Sequence, residues 1–116
     1  MNRGQGYRPN FKEVTPTQAK ALLDQGNAVM IDVREPYEYE QVHAVGVTLI
    51  PLATLGEHLD EVPQDREVLV ICHSGGRSAV ACDMLVKAGY DKDKVYNVQG
   101  GTSEWQYENL PVERGR

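Results

Sequence analysis

Short apolar runs alternate along the chain with segments whose apolar residues recur at helical spacing. The most apolar run covers residues 68–71, where the order Val-Leu-Val-Ile is typical of a strand that is covered on both faces. Other apolar runs predict strands at 11–14, 28–33, 45–52 and 95–98. Strands that alternate with helices indicate an α/β fold with a mainly parallel sheet of about five strands.

Helix signals lie between these strands. The stretch Thr15-Pro16-Thr17-Gln18 forms a capping box with proline at the first helical position, and Gly26 is placed to end that helix. Further helical spacing predicts helices at 36–42, 54–62 and 77–88, and a last one around Trp105. Acidic residues in these segments are expected to form a solvated face; they are Glu38, Glu40, Glu57, Asp60 and Glu61.

A cysteine-containing loop follows the strand at 68–71. Cys72 is its first residue, Gly75 and Gly76 follow, and the next helix starts close to Arg77. Glycines can adopt positive φ and turn their N–H groups inward, and a helix N-terminus adds positive charge at the same place. A thiol held there should ionise readily, and the thiolate is the nucleophilic form. A small buried thiol is the alternative for Cys72, but the glycines and Arg77 favour a reactive one.

The spacing within the loop separates two classes of enzyme. Cysteine-type phosphatases have five residues between their cysteine and arginine, a ring wide enough for a phosphate group. Here four residues separate Cys72 from Arg77, and Ser78 takes the position of the phosphatase arginine. The shorter loop is similar to that of the rhodanese family of sulfurtransferases, in which it surrounds a persulfide sulfur.

Further motifs resemble the same family. Residues 32–39, with the sequence DVREPYEY, are similar to its first signature, and residues 95–101, VYNVQGG, are similar to its second. His43-Ala44-Val45 and Ile50-Pro51 lie where the family has its histidine and isoleucine-proline elements. The resemblance covers residues 11–112. It implies a three-layer α/β/α sandwich, with helices on both faces of the sheet and residues 11–116 as a single rhodanese-like domain.

The resemblance also implies a reaction and a set of site residues. The Cys72 thiolate takes the outer sulfur of a small anionic donor such as thiosulfate, and cyanide or a thiol then removes that sulfur. No cofactor and no metal is implied. The residues expected to bind substrate are His73, Ser74, Gly75, Gly76, Arg77 and Ser78. Those expected to support the loop structurally are Asp32, Arg34 and His43.

Two other functions remain open at this stage. The domain could carry a persulfide for a dedicated acceptor protein instead of turning over free donors. A small phosphatase or an enzyme resembling arsenate reductase could use the same loop, although the short spacing disfavours it. Cys82 lies ten residues beyond Cys72. It should be on the order of 10 Å away along the helix, beyond the reach of a relaxed disulfide, and we interpret it as a core thiol.

Composition limits the partners and the location. The net charge of −5 argues against nucleic acid and anionic membranes, which both require a basic surface. No apolar run is long enough to cross a bilayer. Residues 1–10 lack the apolar core of a signal peptide and are expected to be a flexible segment. Two cysteines form no disulfide framework, so we expect a cytoplasmic protein.

Overall fold

The computed structural model describes residues 9–116. Its centre is a five-stranded sheet in the order β1-β6-β5-β2-β4, in which all neighbours are parallel. The strands are β1 Lys12–Val14, β2 Ala28–Asp32, β3 His43–Ala44, β4 Val47–Leu49, β5 Glu67–Ile71, β6 Val95–Val98 and β7 Val112–Glu113. The helices are α1 Pro16–Asp24, α2 Pro36–Gln41, α3 Gly76–Lys87 and α4 Gly101–Tyr107. The parallel α/β architecture is therefore confirmed.

The two faces of the sheet bury different helices. Val68 and Val70 of β5 pack into a core with Cys82 and Leu85 of α3. Leu69 and Ile71, which alternate with them, belong to a second core that includes Ala19 of α1 and Trp105 of α4. Successive side chains of a strand point to opposite faces, so β5 is covered on both sides, as its unbroken apolar run predicts.

The start of α1 follows the predicted capping box. The N–H of Gln18 donates to the Thr15 hydroxyl at 3.2 Å, and the N–H of Thr15 donates to the Gln18 side chain at 2.9 Å. These two bonds satisfy backbone donors that have no partner inside the helix. Gly26, with φ of +87°, follows the end of the helix as predicted.

Two predicted elements differ from the structure. The strand expected at 45–52 is interrupted by Gly46, which has φ of +93°, so β4 is short and β3 pairs antiparallel with β7 in a separate small sheet. The helix expected at 54–62 consists of two 3₁₀ segments, Leu52–Glu57 and Leu59–Glu61. The Tyr90 hydroxyl contacts the carbonyl oxygens of Leu59 and Val62 and can donate its hydrogen to one of them at a time, while the Leu59 oxygen also accepts the Val62 N–H at 3.0 Å.

The flexible segment expected at 1–10 lies outside the described residues for positions 1–8. Pro9 and Asn10 belong to no helix or strand. Within residues 9–116, the structure contains no helix with the length and apolar character needed to cross a bilayer.

Candidate active site

Cys72 lies directly beyond the carboxyl end of β5, where two groups direct hydrogen-bond donors at its sulfur. The Gly75 N–H donates to Sγ at 3.0 Å, and the Ser78 Oγ lies 3.3 Å from the same atom. Gly75 has φ of +110°, the conformation that the sequence predicts for a glycine of this loop. Gly76 does not need a positive φ, since it is the first residue of α3. Cys72 is 1% exposed.

The N-terminus of α4 fixes the backbone of the loop. The carbonyl oxygen of Cys72 accepts the Thr102 N–H at 2.8 Å and the Thr102 hydroxyl at 3.0 Å, and the carbonyl of His73 accepts the Ser103 N–H at 3.1 Å. Gly101 makes this approach possible, since a Cβ there would lie 2.5 Å from the Cys72 oxygen. Gly101 also has φ of +58°. Gly100 and Gly101, both with positive φ, thus form a tight turn beside the loop.

Burial and hydrogen bonding oppose one another at the Cys72 sulfur. Burial is the largest single influence and raises the pKa, because it disfavours the charged thiolate. The Ser78 hydroxyl and the backbone N–H groups of Ser78, Gly75 and Ser74 together outweigh it, so the pKa of Cys72 is lowered. For Cys82, burial again raises the pKa and the nearby negative charge of Glu13 adds to it. The two buried cysteines therefore differ strongly in chemical character.

Arg77 is paired with Glu38, and this corrects the expectation that Glu38 belongs to a solvated face. The guanidinium donates to the two carboxylate oxygens at 2.8 and 2.9 Å, and the Glu38 side chain is only 17% exposed. The hydrogen bond from Arg77 lowers the pKa of Glu38 to about 2. The positive charge that Arg77 brings to the loop is accordingly balanced by a carboxylate at ordinary pH.

A cavity of about 420 Å³ opens beside the loop. His73 and Arg77 line it from the loop side, so both lie where a bound molecule could contact them. Tyr37, Glu38, Gln41 and Val42 contribute the wall formed by α2 and its end. The cavity is large enough for more than a small inorganic anion.

The three residues expected to support the loop have different surroundings. Arg34 is buried against Asp32, with Nη2 2.7 Å from Oδ2, and the same nitrogen donates to the Val42 carbonyl at 2.7 Å. Arg34 also lines the cavity, so this ion pair connects the end of β2 to the end of α2 near the site. His43 stacks on Tyr39 and hydrogen bonds to its carbonyl and to Glu113, contacts that join α2 to β7.

Asn97 of β6 is a site residue that the sequence analysis did not identify. Its Oδ1 lies 2.5 Å from the Ser78 Oγ, and its Nδ2 donates to the Gly75 carbonyl at 3.3 Å. Asn97 therefore contacts both residues that donate to the Cys72 sulfur. The run VYNV at 95–98 predicts a buried strand, and Asn97 is the amide residue within it. Because a buried amide needs hydrogen-bond partners, its position could have indicated a role for Asn97.

The sequence comparison agrees with this geometry. A family model described as the rhodanese-like domain matches residues 15–108. The chain belongs to the rhodanese-like domain family. The match confirms the resemblance that the motifs indicate, and it extends from the start of α1 to the end of α4.

Several rhodanese-like proteins are similar over most of this chain. A thiosulfate sulfurtransferase, GlpE, of Actinobacillus pleuropneumoniae is 34% identical over 103 residues, which cover 89% of this chain and 94% of the relative. A probable adenylyltransferase/sulfurtransferase, MoeZ, of Mycobacterium tuberculosis is 41% identical over 84% of this chain, but over only 25% of its own length. A crystal structure of a thiosulfate sulfurtransferase from Pseudomonas aeruginosa superposes with a TM-score of 0.81 at 28% identity, covering 91% of this chain and 21% of that one.

The contact between α4 and the loop predicts an unusually severe effect of Gly101→Ala. The new Cβ would meet the Cys72 oxygen, and alanine disfavours the positive φ. Together these should lower the free energy of unfolding by about 2–4 kcal/mol, as measured by urea denaturation.

Gly56→Ala is the matched control, because no atom lies within 4 Å of a Cβ there and its φ is not in the left-handed region. It should change the free energy of unfolding by less than about 0.5 kcal/mol. Equal effects of the two substitutions would contradict the role of Gly101.

Proposed function

We propose that this chain is a sulfurtransferase that moves a sulfane sulfur from an anionic donor such as thiosulfate to a thiophilic acceptor through a persulfide on Cys72. The observation that carries the proposal is the Cys72 sulfur itself, which receives the Gly75 N–H at 3.0 Å and faces the Ser78 hydroxyl at 3.3 Å. The full-length similarity to a protein named thiosulfate sulfurtransferase supports the same reaction.

In the first half of the reaction, the thiolate attacks the outer sulfur of thiosulfate. A bond forms between Sγ and that sulfur, the bond to the sulfite sulfur breaks, and sulfite leaves with the electron pair. The lowered pKa of Cys72 increases the fraction of this residue that is present as the nucleophilic thiolate at a given pH. His73 and Arg77, which line the adjacent cavity, are the residues that would contact the departing anion.

In the second half, cyanide or a thiolate attacks the outer sulfur of the persulfide. The sulfur–sulfur bond breaks and Sγ recovers its electron pair, so Cys72 returns as a thiolate. The N–H groups of Ser74, Gly75 and Ser78 stabilise this charge whenever it reappears. The same donors therefore serve both halves of the cycle.

Delivery of the sulfur to a partner protein is the second candidate. The match to the MoeZ protein covers only a quarter of that protein, so a domain like this one also occurs within a larger polypeptide that is named as a probable adenylyltransferase/sulfurtransferase. A carrier would accept sulfur on Cys72 by the same chemistry but would release it slowly to free cyanide. Rapid multiple turnover with thiosulfate and cyanide distinguishes the enzyme from the carrier.

A phosphatase reaction fits this loop poorly. Only four residues separate Cys72 from Arg77, and Ser78 stands at the position of the phosphatase arginine. Arg77 is also held by Glu38 through both carboxylate oxygens. A phosphoryl group would therefore lack the encircling donors and the free guanidinium that its three oxygens require.

Incubation with thiosulfate should add the mass of one sulfur atom to the protein, and cyanide should remove it. Cys72→Ser should abolish this gain, because a serine hydroxyl is a far weaker nucleophile and forms no persulfide. Intact-protein mass spectrometry measures both steps.

Cys82→Ser is the matched control and should still accept sulfur, with some loss of stability through a buried hydroxyl. Sulfur addition that survives in Cys72→Ser and disappears in a folded Cys82→Ser would reverse the assignment. Rapid hydrolysis of an aryl phosphate that depends on Cys72 would replace the proposed reaction with a phosphatase.

The Arg77–Glu38 pair predicts opposite effects of two substitutions on the use of thiosulfate. Arg77→Ala leaves a carboxylate unpaired beside the cavity and should raise the KM for thiosulfate. Glu38→Gln frees the guanidinium and should lower it. For a partly exposed pair, each change should be about two- to fivefold and smaller at high salt.

The double variant Arg77→Ala/Glu38→Gln is the control for charge, because it removes both members of the pair. Its KM should return towards that of the unmodified protein, with kcat little changed throughout. A KM that responds to neither single substitution would mean that the donor anion binds away from this pair.

A further inference from the structure

The Ser78 hydroxyl has one hydrogen and two possible acceptors. Its Oγ lies 2.5 Å from the Asn97 Oδ1 and 3.3 Å from the Cys72 Sγ. A hydroxyl donates only one such hydrogen bond at a time. Ser78, Asn97 and Cys72 are all buried, with exposed fractions of 0%, 5% and 1%. The amide oxygen and the sulfur therefore compete for the same hydrogen.

The two protonation states of Cys72 place this hydrogen differently. When Cys72 is a thiol, its S–H can donate to the Ser78 Oγ while Ser78 donates to Asn97, so each of these three side chains has a hydrogen-bond partner. When Cys72 is a thiolate, a hydrogen bond from the Ser78 hydroxyl stabilises its charge. The Asn97 Oδ1 then loses the hydrogen bond that Ser78 donates to it. A buried acceptor without a donor is costly, so Asn97 favours the thiol.

We propose that Asn97 is a positioning residue that restrains ionisation of Cys72 by competing with its sulfur for the Ser78 hydroxyl. The proposal rests on the proposed function only in taking Cys72 as the nucleophile. When the persulfide forms, charge leaves Sγ and the Ser78 hydrogen returns to Asn97. When the acceptor takes the outer sulfur and the sulfur–sulfur bond breaks, Sγ regains its electron pair and the hydrogen turns towards it.

The second contact of Asn97 does not reverse this effect. Its Nδ2 donates to the Gly75 carbonyl at 3.3 Å, and Gly75 supplies the N–H that bonds to Sγ. However, the Gly75 carbonyl also accepts the Ala79 N–H at 3.3 Å, in the first turn of α3. Gly75 therefore stays in place without the amide, and removal of Asn97 acts mainly through Ser78.

The charged residues around Cys72, Ser78 and Asn97 are the same in every variant of the test. Glu13 of β1 accepts weakly from the Asn97 Nδ2 at 3.4 Å. Arg77 lies on α3 beside the loop and is paired with Glu38 of α2, and His73 belongs to the loop itself. Cys82 of α3 is also close enough to interact with the charge of Cys72. None of these charged groups is itself substituted in the variants below, and Asn97→Leu removes only the weak contact of its amide with Glu13.

The test is the rate of iodoacetamide alkylation of Cys72 against pH, read by peptide mass spectrometry in a double-mutant cycle. Asn97→Leu, which has a similar shape and no amide, should move the midpoint to lower pH by about half a unit to one unit. The thiolate fraction well below the midpoint would then rise about three- to tenfold. Ser78→Ala alone should raise the midpoint. In the Ser78→Ala background, Asn97→Leu should have no further effect, because no hydroxyl is left to release.

Asn27→Ala changes an exposed asparagine and should leave the midpoint unchanged. A midpoint raised by Asn97→Leu, or a downward shift of equal size with and without Ser78, would overturn the proposal. Circular dichroism checks that each variant is folded, and Asn97→Ala should give the same direction if the leucine variant does not fold. Alkylation needs no sulfur donor, so its result is independent of whether the protein transfers sulfur from thiosulfate.

Discussion

The carbonyl oxygen of Cys72 accepts two hydrogen bonds from Thr102, and the geometry of the loop that follows Cys72 depends on them. These bonds hold the end of β5 against the start of α4, at 2.8 Å from the backbone N–H and 3.0 Å from the hydroxyl. They are possible only because Gly101 has no side chain that would collide with the loop. While Thr102 holds the backbone at Cys72, the loop directs the N–H of Gly75 towards the Cys72 sulfur.

Within residues 9–116, hydrogen bonds are the interactions that favour the thiolate of Cys72. The pKa of Cys72 is lowered by the Ser78 hydroxyl and by backbone N–H groups in spite of burial. Arg77, a cation beside the loop, has its charge balanced by Glu38. Such fixed dipoles are less screened by salt than an exposed charge would be. Arg77 and Glu38 both line the cavity, and as an ion pair they add no net charge to it.

Local features of the sequence were sufficient to predict the fold class and the position of the glycine-containing loop after Cys72. The run at 68–71, the glycines after Cys72 and the capping box at Thr15 all act within a few residues, so they can be recognised without knowledge of the tertiary structure. The contacts that were missed join distant segments. Glu38 and Arg77 are 39 positions apart, and Ser78 and Asn97 are 19 apart. The second 3₁₀ segment, Leu59–Glu61, likewise contacts Tyr90, a residue of another part of the chain, through the Leu59 carbonyl.

Ionisation of the two cysteines within one sample tests the central claim most directly, because Cys72 and Cys82 are both inaccessible, at 1% and 0% exposure, while hydrogen-bond donors face the Cys72 sulfur. The measurement is alkylation of each cysteine against pH. Cys72 should react with a midpoint below the value of about 8.5 for a free cysteine, thiosulfate should protect it, and Cys82 should react slowly at any moderate pH. A Cys72 midpoint above that value, or faster reaction of Cys82, would contradict the account of the loop as a site that stabilises a thiolate.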